Sequence, residues 1–104
     1  MNKQLVLGDI ENAVAARFGL TRAQMQSLTR ARAVARPRQI AMFLAREMTG
    51  HSLPRIGTHF ARDHTTVLHA VRRIRRLAAA DPVIAAQVEG CRELLARTRE
   101  GEVP

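Results

Sequence analysis

Between residues 9 and 97, apolar side chains return every three or four positions, and no stretch alternates strictly. That is the repeat of helices rather than strands. Ile10, Val14 and Phe18 are spaced i, i+4, i+8, with Asp9 placed to cap that helix and Gly19 to close it in a left-handed turn. The preceding "QLVLG" is too short to assign. Thr21 can cap a short second helix, "RAQMQSL", that turns Met25 and Leu28 inward. A third helix is expected from Pro37, whose ring suits a first turn and disfavours helix at Arg36, so Arg30 and Arg32 fall on the loop before it. It ends at Gly50, with Ile40, Leu44 and Met48 as one stripe and Arg38, Met42 and Arg46 as a more polar edge.

Ser52 or Leu53 caps a fourth helix, with Pro54 in its first turn and Ile56 and Phe60 inward. Asp63 caps a fifth, where Val67, Val71 and Ile74 form the apolar stripe and His69, Arg72 and Arg76 the opposite side. A last helix follows Asp81-Pro82 and carries Ile84, Val88, Cys91 and Leu95 in line. The pattern predicts an all-α bundle of about five to six helices. It forms a single domain over residues 1–104, with a core of about 9–97 and a frayed tail over 98–104.

Composition narrows the picture. With three Phe and neither Trp nor Tyr, the core must be aliphatic, and 46% hydrophobic residues exclude a disordered tail. The net charge of +8 is unevenly spread. Residues 20–77 carry twelve arginines against Glu47 and Asp63, while residues 1–19 balance to zero and residues 78–104 are slightly acidic. A basic middle between neutral flanks points to a polyanion. Cys91 is the only cysteine, so no internal disulfide forms, which fits a reduced, cytoplasmic setting. No apolar run approaches the ~20 residues of a membrane span, and the amino end lacks a signal-peptide core. Beginning at Met1, the chain reads as a stand-alone protein, a cloned fragment being the other reading.

Residues 52–60 and 63–77 make a short helix, a tight turn and a longer helix, the spacing of a helix-turn-helix. In that motif the second helix enters the major groove of DNA amino end first. The start of the fifth helix, "DHTT", suits this. Threonine offers a hydroxyl and a methyl to bases, aspartate accepts from cytosine, and free helix N–H groups favour a phosphate. Arg72 and Arg76 follow where such a helix would pass the phosphate backbone.

Three runs, "ARPRQIAM", "HSLPRIG" and "RDHTTVLHA", occur in order within residues 35–74, and here the chain resembles the C-terminal DNA-binding domain of the bacterial replication initiator DnaA. Weaker similarity covers most of residues 9–97. The resemblance implies a TrpR-like helix-turn-helix that reads an A·T-rich box in double-stranded DNA. Asp63, His64 and Thr65 would then contact base edges in the major groove, and Arg30 would enter the adjacent minor groove. Arg38, Gln39, Arg46, Leu53, Pro54, Thr66, Arg72 and Arg76 would lie along the backbone.

Two departures stand out. The turn after Phe60 is "AR", where the family usually has glycine and often one more residue. The family's ATPase domain is absent, with no GxxxxGK[ST] loop in 104 residues. Such a chain is expected to bind the box without ATP-driven assembly, and to regulate replication initiation or transcription.

No catalytic or cofactor motif is present. The four histidines lack zinc spacing and read as surface or capping residues, Ser52 has no nucleophile elbow, and Cys91 reads as a small core residue. No metal or cofactor is expected. Two competing readings are a replication adaptor docking onto a partner such as DnaA through the neutral first and last helices, and a basic module on acidic membranes. The membrane reading would need exposed apolar faces that the core already claims.

Overall fold

The computed structural model describes residues 4–101. Among them are six helices and no strand: α1 (Leu7–Phe18), α2 (Arg22–Gln26), α3 (Arg32–Thr49), α4 (Leu53–Phe60), α5 (His64–Ala80) and α6 (Pro82–Arg99). α5 packs on α3, α4 and α6, and α1 packs on α2, α3 and α6. Ile10, Val14, Met25, Ile40, Leu44, Ile56, Phe60, Val67, Ile74 and Leu95 are wholly buried where these helices meet. Phe18 and Met48 lie half-buried at the edge of this core. α6 continues to Arg99, two residues past the expected limit, and residues 102–104 of the expected tail lie outside the described residues.

Local capping chemistry sets most boundaries. The Thr21 hydroxyl accepts from the Gln24 N–H at 3.1 Å, while the Gln24 side chain accepts from the Thr21 N–H at 2.8 Å. Ser52 caps α4 through the Arg55 N–H, and Asp81 caps α6 through the Val83 N–H. Gly19 and Gly50 close α1 and α3 in left-handed conformations.

Three expectations are corrected. Val6, not Asp9, occupies the cap of α1. Asp9 sits at the third helical position and its carboxylate accepts from the Val6 N–H at 2.9 Å. α2 stops at Gln26 because both the hydroxyl and the N–H of Ser27 turn back to the Gln24 carbonyl. Leu28 is thereby directed to solvent, 84% exposed, rather than inward. α3 begins five residues before Pro37, so Arg32 is helical and only Arg30 stays on the loop. Pro37 forfeits one bond, to the Ala33 carbonyl, and the buried face of an 18-residue helix outweighs that loss.

One buried group escapes the hydrophobic pattern. Glu11 in α1 is fully buried, and its carboxylate accepts from Arg22 Nε at 2.7 Å and from Gln26 Nε2, both on α2. His59 Nε2 of α4 lies 3.2 Å from the same carboxylate, so His59 is neither a free surface histidine nor a helix cap. Cys91 is a buried thiol, as expected. Burial pushes it up to about 11, against the opposing pull of Arg17.

Candidate nucleic-acid interface

α4 and α5 are joined by Ala61 and Arg62. The turn closes through Arg62 N–H to the Gly57 carbonyl (2.8 Å) and Ala61 N–H to the Thr58 carbonyl (3.3 Å). Ala61 holds φ 55° and ψ 43°, the left-handed region where a Cβ is strained. The residue therefore takes the conformation a glycine would take, and the turn keeps its shape without one. Ala61→Gly is expected to raise stability by about 0.5–1 kcal/mol, relief of strain outweighing the added freedom of the unfolded chain. Thermal unfolding checks the sign, since a lower melting temperature would contradict it.

The turn delivers Asp63 in extended geometry at the cap position of α5, but its carboxylate makes no bond to the helix start. It lies 3.6 Å from His64 Nδ1, and the two side chains are 75% and 56% exposed. Thr65 and Thr66 are exposed as well, whereas Val67 is wholly buried. The first turn of α5 thus offers four short polar side chains to solvent while its next residue anchors the helix. Its unpaired N–H groups leave partial positive charge at that end.

Beside this turn a groove runs between α3 and α5, with Arg38 and Gln39 on one side, Thr66, His69, Arg72, Arg73 and Arg76 on the other, and Arg62 of the turn at its end. A second depression adjoins it, lined by Arg30, Arg32, Arg36 and Arg73 and again by Gln39. Arg36 is lowered from the ordinary arginine range by burial, then by the charges of Arg32 and Arg73, with Asp81 pulling the other way. Guanidinium groups held this close repel one another, and an anion seated among them relieves that repulsion. Arg75 departs from the group and lies 3.7 Å from Glu47.

The sequence profile of the bacterial dnaA protein helix-turn-helix matches residues 7–74. The chain belongs to the bacterial DnaA helix-turn-helix family. It is 50% identical over 88 residues to the chromosomal replication initiator protein DnaA of Caulobacter sp. (strain K31), covering 84% of this chain and 18% of that one. Against DnaA of Sphingopyxis alaskensis the identity is 46% over 93 residues (88% and 20%), and against DnaA of Symbiobacterium thermophilum 45% over 98 residues (93% and 21%). The chain spans about a fifth of the length of the curated relatives it matches. What it shares with DnaA is therefore the DNA-binding helix-turn-helix module. Among the described residues no helix is long and apolar enough to cross a membrane.

Within this DnaA-type module the expected contact residues separate into three sets. Asp63, His64, Thr65 and Thr66 stand together at the start of α5, and Gln39, Arg72 and Arg76 border the adjacent groove. Arg30 is exposed and borders the second depression. Arg46, Leu53 and Pro54 lie at the α3–α4 junction and do not border the groove. Arg46 is exposed and donates to the His51 carbonyl at 2.7 Å, Leu53 is half-buried against the core, and Pro54 is exposed.

Arg38 also lines the groove, but from a buried position. It is only 7% exposed, its guanidinium is committed to backbone carbonyls, and burial followed by the charge of Arg62 lowers it from the ordinary range. It braces the 25–29 segment while lining the groove beside Gln39. Arg32 and Arg73 are exposed and Arg36 is half-buried between them, around the depression that Arg30 also borders. The i, i+4 spacing of Arg32 and Arg36 would have revealed a common face had α3 been started at Arg32.

Proposed function

We propose that the chain binds double-stranded DNA sequence-specifically, at sites of the DnaA-box type, and so regulates replication initiation or transcription on the chromosome in the cytoplasm. One observation carries the reading: an exposed first turn of α5, uncapped by its own aspartate, beside a groove rich in arginines and poor in carboxylates. Asp63, His64 and Thr65 read base edges in the major groove, Arg30 reaches the neighbouring minor groove, and Thr66, Gln39, Arg72 and Arg76 grip phosphates with help from Arg32, Arg36 and Arg73. The polar start of α5 supplies discrimination and the arginines supply affinity. No nucleotide-driven step belongs to these residues, because the sequence holds no phosphate-cradling GxxxxGK[ST] loop.

His64→Ala tests the reading. The variant is expected to lose roughly 5- to 100-fold of its preference for a DnaA-type box over scrambled duplex, the worth of one good base contact. Weak, salt-sensitive binding to any duplex should persist, since each phosphate contact contributes about 0.9 to the salt slope. Titrations of both duplexes at two salt concentrations measure this, and an unchanged ratio of affinities removes His64 from the reading surface.

A further inference from the structure

The segment 27–31, between α2 and α3, carries Arg30 into solvent and is tied down from beneath. Arg38 donates from Nε to the Met25 carbonyl (2.8 Å), from Nη1 to the Thr29 carbonyl (3.2 Å) and from Nη2 to the Ser27 carbonyl (2.7 Å). A second guanidinium reaches the Ser27 carbonyl from 35 residues away: Arg62 Nη2, in the turn of the helix-turn-helix. Arg62 Nη1 donates at the same time to the Phe60 carbonyl at 3.0 Å. One arginine therefore bridges the turn that launches α5 and the loop that launches Arg30. It does so from a half-buried position beside the buried Arg38 guanidinium, an arrangement that mutual repulsion disfavours.

Ser27 stands three residues before Arg30, and Arg62 immediately precedes Asp63. Reading two neighbouring grooves of one duplex requires the two probes to keep a fixed separation, and a loop joined only to its own helix would not hold it within the fraction of an ångström that recognition needs. We propose that Arg62 is a positioning residue for DNA reading: by clamping the Ser27 carbonyl to the α4–α5 turn, it holds Arg30 in register with Asp63, His64 and Thr65. The inference rests on the function proposed above. The planar fork matters here, because two carbonyls in different elements are held at once and an ammonium on a flexible stem does not reproduce that geometry.

The test is a double-substitution cycle of Arg62→Ala and Arg30→Ala, read as preference for a DnaA-type box over scrambled duplex, with thermal unfolding confirming a folded chain. Arg62→Ala alone is expected to lower the preference roughly tenfold. In the Arg30→Ala background it should change the preference less than about twofold, because the residue it positions is already gone. Arg62→Lys, which keeps the charge and the fold, should resemble Arg62→Ala, and it replaces alanine in the cycle if the alanine variant does not fold.

Losses that multiply independently, with the salt slope reduced by about 0.9, would make Arg62 a phosphate contact and overturn the clamp. A lysine variant with wild-type preference would overturn it too, as would an Arg30→Ala chain that keeps full preference. A wild-type chain that binds box and scrambled duplex equally sinks the proposed function itself. A discriminating wild type with independent losses sinks only the positioning role.

Discussion

Gly57→Ala is expected to destabilise the chain by roughly 1–3 kcal/mol, the cost of forcing atoms into a packed site. The sign is opposite to helix propensity, which favours alanine over glycine by about 0.8–1.0 kcal/mol inside a helix. Geometry decides between them. A Cβ on Gly57 would lie 2.4 Å from the Arg62 carbonyl oxygen and 3.5 Å from the carbonyl carbons of Arg62 and Asp63. All three atoms are backbone, so no side-chain rotation relieves the overlap, and the turn must move away from α4. Because that turn places Asp63, the displacement passes to the first turn of α5. Box preference should therefore fall further than the stability loss alone accounts for, when compared at a temperature where the variant is fully folded. Circular-dichroism melting and duplex titration measure the two effects, and a raised melting temperature would falsify the close approach.

Gly57 also shows what the sequence could and could not reveal. Signals that act within one turn of the chain were legible: Thr21, Ser52, Gly50 and the Asp81-Pro82 pair each mark the boundary where the structure places it. The apolar stripes were legible for the same reason, since Val67, Val71 and Ile74 need only the helical period to share a face. Features fixed by contacts across the chain were not. Pro37 reads as a first-turn residue, and nothing near it in sequence reveals that burial of Ile40, Leu44 and their neighbours stabilises α3 enough to carry a proline in its second turn.

Arg38 shows the same limit within the site. Its neighbours Arg36 and Gln39 face solvent or the groove, and only the position of the 25–29 carbonyls beneath the bundle makes Arg38 a buried strut. At the start of α5 the residues are all polar, so the exposed Asp63–Thr66 turn was readable from residue type alone. Leu28 reads as inward by period, but the Ser27 turn breaks the period one residue earlier.

Glu11→Ala is expected to cost roughly 2–4 kcal/mol, near the upper end for one side chain, because it leaves donors buried without their acceptor. The side chain is wholly buried and gathers Arg22 and Gln26 of α2 and His59 of α4 around one carboxylate. Arg22 is 55% exposed and can turn to water, which reduces the loss. Gln26 and His59 are more enclosed and cannot do so as readily. Glu11→Gln keeps the volume but removes the charge and points a donor at donors, so a loss of about half that size is expected.

The consequence for DNA reading follows from the length of α2. A five-residue helix has no stability of its own and is held by Met25 in the core, the Thr21 cap and this carboxylate. Loosening α2 frees the loop that bears Arg30, while α5 keeps its packing on α3 and α6. On the function proposed above, selectivity should therefore be lost first for the part of the site assigned to Arg30 and only later for the part assigned to residues 63–65. Duplexes altered separately at the two parts distinguish this order from a uniform decline, and a uniform decline would mean that Glu11 stabilises the bundle as a whole rather than the reading loop.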